Sequence, residues 1–181
     1  MTPEQAEQAY QEADCLFSNA QVAAALDNMA DAMQQRLAGS NPLMLVVMTG
    51  GIIPAGHLLT RLQFPMQIDY IHATRYRGET SGGTLHWIAE PSFPLQDRTV
   101  VIVDDILDEG VTLDELIKFC QAAGATAVYS AVLVEKNKPR AVSIKADFVG
   151  LVTEDRYLFG YGMDYKDYLR NAAGIYAVKG M

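Results

Sequence analysis

Val100-Val101-Ile102-Val103-Asp104-Asp105-Ile106-Leu107-Asp108-Glu109-Gly110-Val111-Thr112 is the stretch that decides the architecture. Its opening run of β-branched residues is strand-sized and apolar throughout, as in a strand buried on both faces. Such strands belong to parallel sheets covered by helices, where ligands gather beyond the carboxyl ends of the strands. The run is read as a strand over 99–103, followed by a loop over 104–110 and a helix over 112–123 that Gly124 ends. A loop that wraps a phosphate needs inward N–H groups, a glycine for the tight turn and a helix N-terminus behind it. Residues 108–112 supply all three. The adjacent carboxylates Asp104 and Asp105 are unfavourable at a buried strand end unless a cation or a hydroxyl-bearing ligand meets them. A ribose diol carrying Mg²⁺ would do both. A solvated acidic turn is the plain alternative, but four carboxylates within six residues, between a buried strand and a helix start, argue against it.

Outward from this stretch, strands alternate with helical patterns. Leu43–Met48 reads as a buried strand, and a helix follows Thr49-Gly50-Gly51 as far as Leu62. Gln67–Ile71 is a further strand, 74–83 a polar glycine-containing loop, 84–88 a return to β pattern and 127–134 another buried strand. The class is therefore α/β, a mostly parallel central sheet flanked by helices, with the loops at Thr49, Asp104 and Glu135 on one rim. Near the N-terminus, Thr2-Pro3-Glu4-Gln5 has the pattern of a capping box with proline at the first helical position. A second helix starts after Ser18-Asn19, where Val22, Leu26, Met29, Met33 and Leu37 form one apolar stripe that Gly39 closes. The two methionines are read as core.

Composition narrows the partners. At 181 residues, half of them hydrophobic and without low-complexity segments, the chain can bury a continuous core as a single domain over 1–181. The apolar runs are too short to cross a bilayer, and the polar, acidic N-terminus lacks the pattern of a secretory signal. A cytoplasmic protein is expected. Cys15 and Cys120 make no disulfide framework, and each is expected to be a small buried residue. A net charge of −8 supplies no basic face for nucleic acid. Phosphates must then be held by backbone amides, helix termini and metal ions.

The 100–112 stretch resembles the phosphoribosyl-diphosphate signature of the type I phosphoribosyltransferases. The segments Glu135-Lys136-Asn137-Lys138-Pro139-Arg140, Asp147-Phe148-Val149-Gly150 and Asp155–Tyr165, with Tyr168-Leu169-Arg170, are similar to the C-terminal half of the hypoxanthine-guanine phosphoribosyltransferases. The likeness runs nearly ungapped from Thr99 to Arg170 and more loosely back to Leu43. It implies the type I fold, with a small hood for the base formed by the N- and C-terminal segments and a mobile lid over about 74–83. The implied reaction is salvage of a 6-oxopurine: phosphoribosyl diphosphate and hypoxanthine or guanine give IMP or GMP plus pyrophosphate, with Mg²⁺ as cofactor. By the same resemblance Asp104 and Asp105 hold the ribose hydroxyls and a metal ion, and Asp108, Glu109, Gly110, Val111 and Thr112 bind the 5′-phosphate. Asp108 is the candidate general base for the purine N7 proton. Thr49, Gly50, Arg75, Tyr76 and Arg170 face the pyrophosphate. Asp164 helps coordinate a second Mg²⁺ through water near the pyrophosphate and is counted with Lys136, Tyr157 and Leu158 at the purine. Family members usually form dimers or tetramers, so a homo-oligomer is implied.

The residues at the base positions suit a 6-oxopurine. A purine needs a stacking partner, which Tyr157 offers, and its O6 and N7 accept, which the Lys136 ammonium suits and the amino group of adenine does not. The Leu158 backbone would read the Watson–Crick edge. Several positions depart from the family. Thr49 stands where a lysine or arginine is usual, in a loop where the family shows a cis peptide. Arg75-Tyr76 replaces Ser-Tyr in the lid, and Arg75 or Arg77 is expected to supply the missing cation. Glu109 and Val111 replace a small residue and a lysine, so the Glu109 side chain is expected to point to solvent. The alternatives are a xanthine-preferring or other type I phosphoribosyltransferase, and an RNA-binding pyrimidine-operon regulator of the same fold, which the negative charge opposes.

Overall fold

The structure, a computed structural model, describes residues 1–75, 85–140 and 142–181. Its centre is a six-stranded sheet of β2 (Leu43–Met48), β3 (Gln67–Arg75), β4 (Leu85–Ala89), β5 (Thr99–Leu107), β6 (Ala127–Lys136) and β7 (Phe148–Thr153). The order is β4-β3-β2-β5-β6-β7, with only the β3–β4 pairing antiparallel. Side chains alternate across the sheet, so β5 sends Val101 and Val103 to one core and Val100 and Ile102 to the other. The first core is closed by α2 (Asn19–Leu37) and α3 (Ile52–Leu59), and the second by α4 (Val111–Ala122). Met29 and Met33 are buried in the α2 stripe, as their spacing predicts.

The chain ends meet in a second sheet. β1 (Asp14–Ser18), which follows α1 (Pro3–Glu12), pairs antiparallel with β9 (Gly174–Ala177), and β9 pairs with β8 (Leu158–Phe159). Thr2 caps α1 in a full capping box, and Ser18 does the same for α2 with Gln21.

Four boundaries correct the sequence reading. β5 does not stop at Val103: pairing with β6 continues through Asp104↔Val132, Ile106↔Val134 and Leu107↔Glu135, so both aspartates lie within the strand. Local propensity disfavours aspartate in strands, and the ladder to β6 overrides it. For the same reason β3 runs on to Arg75 and β6 to Lys136. The helix after Gly51 ends at Leu59, with Leu62 buried in the turn beyond it. Cys120 is buried as expected, whereas Cys15, on β1, is exposed. Among the described residues no helix is long and apolar enough to cross a membrane. Tyr76, Arg77 and the rest of the expected lid lie outside the described residues, as does the Arg75 side chain.

Asp69 ties the run-in to β5 onto β3. Its carboxylate accepts from the backbone N–H of Tyr70, Ser92 and Phe93 and from the Ser92 hydroxyl, at 2.7 to 3.0 Å. Burial pushes its pKa up, but these donors outweigh burial and hold it below the ordinary value. Asp69→Ala is expected to lower stability by about 2 kcal/mol in denaturant unfolding at pH 7, since three backbone amides lose a charged acceptor. A depressed folded pKa stabilises above the unfolded value, and that contribution disappears as pH falls through the folded one. The gap between parent and variant should therefore close in strong acid.

Candidate active site

The rim at the carboxyl ends of β2, β5 and β6 is built around one close approach. The loop after β2 begins with a cis peptide between Met48 and Thr49. It brings Gly50 so near β5 that a Cβ there would lie 2.1 Å from Asp105 Oδ2. Only glycine fits. On the other side, a Cβ on Gly162 would lie 2.0 Å from the Gly50 carbonyl oxygen, so the 160s loop also touches this turn. Arg170 holds that loop, donating to the Gly162 carbonyl at 2.6 Å and pairing with Asp164 at 2.7 Å. Thr49, Gly50, Asp105, Asp164 and Arg170 are thereby gathered in one region.

Asp104 and Asp105 are adjacent on β5, and the Asp105 N–H donates to Asp104 Oδ1 at 2.9 Å. Burial, and then the neighbouring charge of Asp105, push the Asp104 carboxyl well above its ordinary pKa. Burial also raises Asp105, although the hydrogen bond with Asp104 and the Arg170 charge partly oppose it. Such a pair favours a ligand that brings positive charge or donors. A divalent ion fits: hard cations such as Mg²⁺ use one or two carboxylates and take their remaining oxygens from substrate and water. Asp164 does not join the pair in one ligand cluster, since no group of three metal-capable side chains converges among the described residues. Its carboxylate is engaged instead with Arg170 and the Asp167 N–H.

Below the pair, Asp104 to Gly110, Thr112 and Leu113 line a hollow of about 230 Å³. Gly110 is the N-cap of α4, left-handed with φ +79, and contributes no side-chain cap to the first turn. The first-turn amides of α4 and the positive end of its dipole are the chemistry of an anion site.

A second cleft of about 310 Å³ is lined by Asp105, Ile106, Asp108, Lys136, Tyr157, Leu158, Met163 and Asp164. Tyr157 is 44% exposed, leaving a ring face available, and is steadied edge-on by Tyr165 at 5.3 Å between centroids. Lys136 is buried at the end of β6, with its ammonium 3.1 Å from both Asp108 Oδ2 and Asp155 Oδ1. Leu158 brings its backbone there through the pairing of β8 with β9.

Several residues of this region carried no role in the sequence reading. Lys138 lies 2.7 Å from Asp108 Oδ1, 2.6 Å from Glu109 Oε1 and 3.3 Å from Asp155 Oδ2. Glu109 is exposed, as expected, but it is also ion-paired because the chain after β6 turns back over the loop. Arg140 fastens this return, donating to the carbonyls of Leu107, Asp108 and Lys136 and to the Glu135 carboxylate at 2.5 to 3.2 Å. A lysine two residues after Lys136, facing three acids distant in sequence, carries no local signal. For Asp108 itself, burial raises the carboxyl pKa, but hydrogen bonds and charge from Lys138 and Lys136 win and hold it below the ordinary value.

Comparison with known proteins agrees with this arrangement. The family model described as the phosphoribosyl transferase domain matches residues 13–167. A hypoxanthine-guanine-xanthine phosphoribosyltransferase of Tritrichomonas foetus is 33% identical over 132 residues, 72% of each chain. A hypoxanthine-guanine phosphoribosyltransferase of Streptococcus pneumoniae (strain ATCC BAA-255 / R6) is 28% identical over 91% of this chain and 92% of its own length. In structure, a hypoxanthine phosphoribosyltransferase of Staphylococcus aureus shares the fold with a TM-score of 0.89 at 22% identity, covering 94% of each chain. With the strand-end aspartate pair, the helix N-terminus and the lysine-tyrosine cleft on one rim, the chain belongs to the phosphoribosyl transferase domain family, among its hypoxanthine-guanine phosphoribosyltransferases.

Proposed function

We propose that the protein salvages purines, transferring the 5-phosphoribosyl group of phosphoribosyl diphosphate to hypoxanthine or guanine. The observation that carries this reading is the joining of two clefts at Asp105 and Asp108. One is lined by the α4 N-terminus, and the other offers an exposed tyrosine face opposite a buried lysine.

In this reading the first-turn amides of α4, with Gly110, Val111 and Thr112, hold the 5′-phosphate. Asp104 and Asp105 accept from the ribose hydroxyls. The purine stacks on Tyr157, with O6 towards Lys136 and its Watson–Crick edge along the Leu158 backbone. The transition state resembles a ribosyl oxocarbenium ion, so orientation and charge complementarity supply most of the acceleration. Asp104 and Asp105, with Asp164 nearby, would hold Mg²⁺, which when bound neutralises the departing diphosphate. Arg170 and the amides at Thr49 and Gly50 face the diphosphate, and Arg75 and Tyr76 are assigned to it as parts of a lid that excludes water. Asp108 accepts the N7 proton. Its lowered pKa makes it ionised but weakly basic, so its contribution is modest. We assign the protein a cytoplasmic location and a homo-oligomeric state, in keeping with its family.

The test is a spectrophotometric assay of hypoxanthine, guanine, xanthine and adenine with phosphoribosyl diphosphate and Mg²⁺. Hypoxanthine and guanine are expected to turn over and adenine to be slower by about a hundredfold or more. Turnover of adenine at the hypoxanthine rate would refute the base assignment.

A further inference from the structure

Glu109 raises a question that the proposed function leaves open. It lies between Asp108 and Gly110, at the mouth of the hollow leading to α4. A carboxylate there repels an incoming phosphate and competes for the same amides. Lys138 answers it. Its side chain is only 15% exposed, and its ammonium is shared by Glu109, Asp108 and Asp155 at 2.6, 2.7 and 3.3 Å. Hydrogen bonds that it donates to Asp108 and then to Glu109 hold the ammonium in its charged form. The backbone beneath is fixed independently, because Arg140 ties the carbonyls of Leu107 and Asp108 to that of Lys136. Three carboxylates (Asp108, Glu109, Asp155) face two ammonium groups (Lys136, Lys138), a local balance of −3 + 2 = −1. Without Lys138 the balance becomes −2 at the entrance of an anion site.

We infer that Lys138 is a positioning residue for the phosphoribosyl donor: it draws the Glu109 carboxylate off the amides that open α4 and cancels its charge. The two residues act as a pair. Glu109 is compatible with phosphate binding only because Lys138 reaches it from just beyond β6. This inference rests on the phosphoribosyl-transfer reading, and the test separates the two.

Four forms are compared in steady-state assays with the donor and the purine varied separately: the parent, Lys138→Met, Lys138→Arg, and Lys138→Met combined with Glu109→Gln. Lys138→Met is expected to raise KM for phosphoribosyl diphosphate about tenfold, as one unit charge a few ångströms from a bound phosphate would, with a smaller effect on purine KM and kcat. Arginine should retain most of the affinity. The double variant should return the donor KM to within about threefold of the parent, because the charge that needed cancelling is gone. A purely structural role predicts no such rescue, and failure of the rescue overturns the inference. So does a Lys138→Met form whose donor KM is unchanged. A parent that turns over no phosphoribosyl diphosphate would instead refute the underlying functional reading.

Discussion

Replacing Asp104 and Asp105 together by asparagine is expected to lower kcat/KM for phosphoribosyl diphosphate by about three orders of magnitude, and at the same time to raise the unfolding temperature. The two effects share one cause. The carboxylates lie side by side in β5, where the ladder to β6 fixes the backbone, and burial and mutual repulsion make their charged forms unfavourable. Hydrogen bonds within the pair and the Arg170 charge at Asp105 offset this only in part. A site arranged this way is poised for a ligand that supplies donors and positive charge, and it is strained until one arrives. Asparagine keeps size and shape, relieves the repulsion, and removes two charged acceptors from the ribose and the metal ion. For a chain of this size each kcal/mol recovered raises the melting temperature by about 2–4 °C. Calorimetry alongside kinetics reads both quantities. Retained turnover within tenfold of the parent would remove the aspartates from the mechanism, and a lower melting temperature would show that they support the fold.

That strand also marks how far sequence reasoning reaches. Val100–Val103 announces a doubly buried strand through uniform apolarity, and the α2 stripe announces a helix through its spacing, because both signals are local. The extension of β5 through Asp104 to Leu107 is not local. It depends on Val132, Val134 and Glu135 across the ladder, and the aspartates themselves argue against a strand. β1, β8 and β9 are short and gain their identity only by pairing, β1 with β9 across almost the whole chain and β8 with β9 over a long loop. The site divides in the same way. Asp104, Asp105, Asp108 and Gly110 form a contiguous motif, while Lys136, Tyr157 and Arg170 were identifiable by resemblance. Lys138 and Arg140 were invisible as site residues, since their function is to span from the end of β6 back to the loop after β5.

The second large effect is expected at Lys136. Its ammonium is the buried cation of the base cleft, held at 3.1 Å by Asp108 on one side and Asp155 on the other, and the side chain is 9% exposed. Two carboxylates fix its direction, so it can offer a donor to a purine oxygen without first being ordered. Lys136→Met preserves the length and apolar stem but leaves O6 and N7 facing a thioether, while Asp108 retains Lys138 as a counter-charge. KM for hypoxanthine and guanine is expected to rise about a hundredfold, the effect of stranding buried acceptors, whereas KM for phosphoribosyl diphosphate should move by less than about threefold. Discrimination against adenine should weaken in the same variant, because the group that repels its amino hydrogens is gone. Lys136→Arg is not expected to rescue, since a planar fork cannot occupy the space of a point-like ammonium between two carboxylates. An equal rise in both substrates' KM would mean that Lys136 organises the loop after β5, and base recognition would then have to be sought in the backbone at Leu158.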